Sequence, residues 1–143
     1  MLTAPDTFIQ IAPDSTAERG VVPESTREPK PAYLIEYELL AGTPYRYTND
    51  ELLFEVHVRR MGLGEAELDA QRDELWREFF AKSHACMRAS TLPKKFGWGV
   101  HSDAEGRLAL VARESEAYRR FVEAGERGEL KLTAAVRSRR AAR

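Results

Sequence analysis

The stretch SHACMRASTLPKKFGWGVHS, residues 83–102, holds the only cysteine of the chain, two of its three histidines and no acid. Its residue types support two kinds of chemistry. Cys86 has His84 and Arg88 two positions away on either side, so in an extended segment both side chains share a face with the sulfur. A nearby cation or imidazole is what lowers a thiol pKa enough to make a nucleophile. His101 is the second catalytic candidate, as a general acid or base. The other chemistry is anion recognition. Arg88 offers a fork to phosphate or carboxylate, Lys94 and Lys95 raise the local potential, and Trp98 offers a flat apolar wall. Ser90, Gly99, His101 and Ser102 complete the set of candidate ligand-binding positions in this segment.

A free cysteine is more often a small buried hydrophobe than a nucleophile, which places binding ahead of catalysis. No G-x-S-x-G, P-loop or dinucleotide fingerprint occurs. His57, His84, Cys86 and His101 match no zinc spacing, so neither metal nor cofactor is expected. The leading expectation is therefore a binding domain for an anionic small ligand, using the basic 82–102 segment. The alternative is a small enzyme working through Cys86 or His101, with Arg88 stabilising negative charge.

Charge supports this order. The net charge is −1, but acids dominate residues 31–80 while 81–102 carries bases alone, so the surface is expected to be polarised. The end, RSRRAAR, reads as a basic tail, flexible over 138–143, and makes nucleic acid a third class of partner. The acidic 64–81 segment weighs against it. At 143 residues, 43% apolar and 31% charged, the chain has the size and composition of one globular domain, 1–143. One cysteine gains nothing from an oxidising compartment, and neither a basic leader nor an apolar run of 18 residues occurs. A cytoplasmic protein with no membrane partner is expected.

The elements that must position these residues follow from pattern. TFIQIA, 7–12, reads as a strand, and the proline-rich 13–31 as a long surface loop. AYLIEYELLAG, 32–42, fits a helix between Pro31 and a left-handed Gly42. Thr48 and Glu51 have capping-box spacing for a brief turn. From Leu52 the alternation of Phe54, Val56 and Val58 with Glu55, His57 and Arg59 predicts a strand with His57 facing water. Residues 64–81 carry Leu68, Leu75, Trp76, Phe79 and Phe80 at helical spacing, an amphipathic helix. WGVHS, DAEG and LALVA predict a hairpin, followed by a helix capped by Ser115 and a last strand near 129–136. The sum is an α+β fold: a largely antiparallel sheet with two or three helices packed on one face.

TFIQIA, PYRYTNDELLFEV, CMRASTLPKKFGWGVHSDAEGRLAL and AVRSRR together resemble a widespread uncharacterised family of small bacterial proteins, over nearly the whole chain. The resemblance implies an intact domain to which the acid-free segment belongs, and it implies no activity, substrate or cofactor. A related pattern carries a second cysteine in an aspartate-cysteine-proline setting where this chain has APDST, with Ser15.

Overall fold

The computed structural model describes residues 5–138. The basic tail expected over 138–143 lies outside them, apart from Ser138. Four strands, β1 (Thr7–Gln10), β2 (Trp98–Ser102), β3 (Leu108–Ala112) and β4 (Lys131–Ala134), form one sheet in the order β3-β2-β1-β4. The β2–β3 hairpin is antiparallel, as is the β1–β2 pair, while β4 runs parallel to β1. The α+β class and the mostly antiparallel sheet are those expected. No helix or strand interrupts residues 13–31.

The helices are α1 (Ala32–Gly42), α2 (Asn49–Met61), α3 (Glu65–Phe80), the short α4 (Thr91–Lys95) and α5 (Glu116–Glu126). They divide between the two faces of the sheet rather than sharing one. The reason lies in β1, whose Phe8 and Ile9 are both buried and, being adjacent in a strand, point to opposite faces. Phe8 packs with Val111 and with Tyr118 and Phe121 of α5. Ile9 packs with Val100 and Leu108 against Ile35, Leu39 and Leu40 of α1 and Leu52 and Val56 of α2.

The strand expected over 52–59 is a helix. Thr48 closes the capping box predicted for it, its hydroxyl accepting from Glu51 N at 3.2 Å while the Glu51 carboxylate accepts from Thr48 N at 2.9 Å. The box begins a helix of thirteen residues that ends at Gly62 (φ +70°). The apolar alternation is real but has a helical cause. Residues two apart on a helix differ by about 200°. Leu52 and Val56 therefore face the sheet, while Phe54 and Val58 face Leu75 of α3. A helix buried on two opposite sides mimics the period of a strand. His57, expected to face water, is half-buried and stacks on Phe79 (centroids 4.6 Å apart). Thr48→Ala removes the side-chain half of the box, the bond from Glu51 N, and is expected to cost about 1 kcal/mol, read as a lower denaturation midpoint; no change would show that packing alone fixes this helix start.

Three smaller differences concern a helix end, one burial and one segment. Gly42 is the last residue of α1, and Thr43 closes the helix, with both its N–H and its hydroxyl donating to Leu39 O. Trp76, expected in the core, keeps 36% of its surface exposed and meets Phe54 edge-on. The 83–102 segment is not extended throughout, since a 3-10 turn (Met87–Ala89) and α4 occupy its middle.

Candidate functional site

The acid-free segment is fastened at its base and open along its edge. Met87 is buried, and its N–H donates to the Asn49 Oδ1 at the start of α2. Arg88 Nε donates to Ala134 O at 2.7 Å and Val136 N donates to Arg88 O at 2.8 Å, which ties the 3-10 turn to the chain leaving β4. Ser90 caps α4 by accepting from Leu92 N, and its hydroxyl donates to the Glu36 carboxylate at 2.7 Å. Pro93 O, within α4, accepts from Ala12 N, and Phe96 O, just past it, accepts from Val21 N. These bonds seat residues 87–96 beyond the Gln10 and Ala134 ends of β1 and β4.

The cations of this ribbon have been left without counter-charges. Arg88 and Lys95 are exposed and Lys94 is partly so. Among the described residues no ion pair involves Lys82, Arg88, Lys94 or Lys95, a state they share with Arg46, Arg60, Arg77, Arg113 and Lys131 among others, while Lys30, Arg59, Arg72, Arg107, Arg119, Arg120 and Arg127 each have one; the ribbon differs in having its cations close together in a segment without acids. The Arg88 guanidinium uses one of its nitrogens on a main-chain carbonyl, and its other two have no hydrogen-bond partner among the described residues.

Glu36 went unnoticed in the sequence. It is 7% exposed, and burial pushes its pKa from the usual 4.5 up to about 7, although the Ser90 hydrogen bond lowers it. The available signal was its place in the apolar stripe of α1 beside Ile35, Leu39 and Leu40.

The remaining nominated residues are dispersed. Trp98 shares the ribbon's end of the sheet, but its indole is enclosed by Tyr37 (centroids 5.5 Å apart) and by Gly20, and its Nε1–H donates to Val21 O at 2.8 Å. A side chain at Gly99 would meet Phe8 Cζ at 2.7 Å and Tyr118 Cε2 at 2.8 Å, so that glycine admits α5 to the sheet. Ser102 is 1% exposed, with no hydrogen-bond partner for its hydroxyl among the described residues. His84 stacks on Phe79, with its Nε2 2.6 Å from Phe79 O, and Cys86 is partly buried with a free thiol. No group of three or more His, Cys, Asp or Glu side chains is placed to hold a metal ion among the described residues.

His101 stands apart from the ribbon. It pairs with Phe8 on β1, one step from the Thr7 and Ser102 end of the sheet, and lies on the α5 face, opposite to Trp98. Its ring stacks on Phe121 (4.1 Å), and its Nδ1 is 2.8 Å from the hydroxyl of Tyr45, a second residue that sequence reasoning missed. Burial holds the His101 pKa below its usual value, against the carboxylates of Asp103 and Asp6, which draw it up. Tyr45 is raised by burial and by Asp103. A groove of about 720 Å³ between the end of β1 and α5, lined by Ile11, Arg113, Tyr118 and Glu126 among others, includes none of the nominated residues.

The fold and the ribbon together define an α+β protein whose mixed four-stranded sheet carries helices on both faces and, at one end, a fastened segment of unpaired cations. The chain belongs to a family of unknown function, DUF6157, whose profile matches residues 3–141. No curated protein and no solved structure matches it significantly. No helix is long and apolar enough to cross a membrane among the described residues.

Proposed function

We propose that the chain is an anion-binding domain that recognises a phosphate- or carboxylate-bearing small molecule on the 88–95 ribbon. One observation carries the reading: this segment is held by hydrogen bonds to main-chain carbonyls, Asn49 and Ser90, and its exposed cations serve no ion pair among the described residues. The two remaining nitrogens of the Arg88 guanidinium supply a planar fork, and Lys94 and Lys95 add point charge from the last turn of α4. Trp98 lies at the same end of the sheet as the ribbon, and Ser90 caps α4 where the ribbon turns into it. A lone Cys86, unable to cross-link within the chain, suits a reducing cytoplasm.

Thermal shifts with pyrophosphate and citrate test the reading. The unaltered protein is expected to gain stability that added salt erodes, and Arg88→Ala to weaken binding about tenfold or more, the usual effect of losing a charge-assisted bond. Lys94→Ala combined with Lys95→Ala should weaken it further. An unmoved midpoint with both probes would refute the reading.

A further inference from the structure

At the opposite end of the sheet from the ribbon, we propose a second site: Tyr45 and His101 form a nucleophile–base pair that takes an acyl group from an activated ester.

The geometry is that of a hydroxyl and the base that removes its proton. The Tyr45 oxygen is 2.8 Å from His101 Nδ1, within the distance at which a nucleophile and its base exchange a proton. The imidazole cannot turn freely, because Phe121 stacks on it at 4.1 Å with an interplanar angle of 20°. The Tyr45 ring meets it edge-on at 5.6 Å. His101 Nε2 has no hydrogen-bond partner among the described residues, and Tyr45 is 37% exposed, so the pair is open to solvent.

The backbone adds an independent observation. Among the described residues only two that are not glycine have positive φ, Tyr45 (+59°) and Asp6 (+50°), and both belong to this corner. For a tyrosine this left-handed conformation is strained, and such residues persist where the surroundings hold them. Here Tyr45 N donates to Leu108 O and Leu108 N donates to Tyr47 O, clamping the turn along the outer edge of β3. Asp6 is held by its N–H to Asp103 O and by Lys131 N to its own carbonyl. The strain at Tyr45 aims its hydroxyl across β3 to β2.

The surrounding charge selects the substrate. Burial keeps the His101 imidazole neutral at rest, and the carboxylates of Asp103 and Asp6 partly offset that penalty. They favour the imidazolium that forms when the tyrosine proton is taken up, and they repel a phosphoryl dianion. A neutral acyl carbonyl suits this corner, while anions suit the other end of the molecule. In the step, the Tyr45 oxygen attacks the carbonyl carbon as its O–H bond breaks and the proton passes to His101 Nδ1. The C–O bond to the leaving alcohol or phenol then breaks, and that oxygen takes the proton back from His101. Water hydrolyses the resulting aryl ester by the same exchange, with His101 as base.

Phenylmethanesulfonyl fluoride, which sulfonylates a hydroxyl beside a base with loss of fluoride, and 4-nitrophenyl acetate are the probes. Mass mapping of the full-length protein is expected to find Tyr45 labelled at least tenfold faster than Tyr33, Tyr37 or Tyr47, at a rate that rises as His101 loses its proton below pH 6.5 and is level from pH 7 to 8. Tyr45→Phe should abolish the acetate burst, and His101→Gln should slow labelling of Tyr45 at least tenfold. His57→Gln is expected to leave both unchanged. The unaltered protein alone keeps the proposal open to refutation even if a variant fails to fold. Equal labelling of the other tyrosines, or a Tyr45 rate that climbs only toward pH 10, would overturn it.

Discussion

Glu36→Gln is expected to make the protein more stable above neutral pH and to leave it nearly unchanged at pH 4. Glu36 is 7% exposed, with one hydrogen bond, from Ser90, to support its charge. Burial raises its pKa from 4.5 to about 7. Between these values the folded chain holds a proton that the unfolded chain has released, so stability falls as pH rises through that window. Above about pH 7 the carboxylate is ionised in both states and the penalty is constant. At 1.36 kcal/mol per unit its full size is about 3 kcal/mol. Glutamine keeps an oxygen for the Ser90 hydroxyl and carries no charge, so the variant should lose this slope and exceed its parent by up to that amount at pH 8. Chemical denaturation from pH 4 to 8 measures both curves. A parent curve flat from pH 4.5 to 7, or a variant less stable at pH 8, would show that Glu36 is solvated or paired and not sealed under the ribbon.

Gly97→Ala should be among the most damaging single-methyl additions in the chain. Gly97 has φ +76°, where an L side chain is strained, and a Cβ there would lie 2.0 Å from Arg19 O. The obstacle is main chain, which cannot rotate away. The loop would have to lift, breaking Val21 N to Phe96 O and Trp98 Nε1 to Val21 O, both 2.8 Å. Backbone strain and overpacking together are worth about 3–5 kcal/mol. The loss should appear as a lowered denaturation midpoint, with the Trp98 environment altered in tryptophan fluorescence. A loss below about 1 kcal/mol, the size of a simple glycine replacement, would mean that the 13–31 loop is loosely held at Arg19 and Val21.

The sequence was most informative where an element is buried on one side. In α5, Ser115 caps and Tyr118 and Phe121 pack beneath, as the spacing implies. The β2–β3 hairpin follows its turn chemistry from Trp98 to Ala112. Legibility failed at α2, where Leu52 and Val56 pack one way and Phe54 and Val58 the other. It failed also for Glu36, whose charge reads as a wet position although its neighbours in the stripe are core.

For the candidate site, the nature of the 82–102 segment was legible and the grouping of its residues was not. Trp98 and His101 are three apart in a strand, an odd spacing that sends them to opposite faces. The link from Ser90 to Glu36 spans 54 positions and that from Tyr45 to His101 spans 56, and no local pattern reports such contacts. The left-handed backbone of Tyr45 has no signature in a tyrosine. The ribbon gathers cations from neighbouring positions, and for that reason its character survives from sequence to structure.

Titrating the isotopically labelled protein with pyrophosphate while following backbone amide resonances tests the proposal for the ribbon most directly. The predicted result is a set of saturable shifts confined to residues 88–95 and the adjoining 134–137, weaker in added salt and absent in Arg88→Ala, with His101 and Tyr45 unmoved. Shifts centred on the His101 end of the sheet, or none at millimolar pyrophosphate, would contradict it.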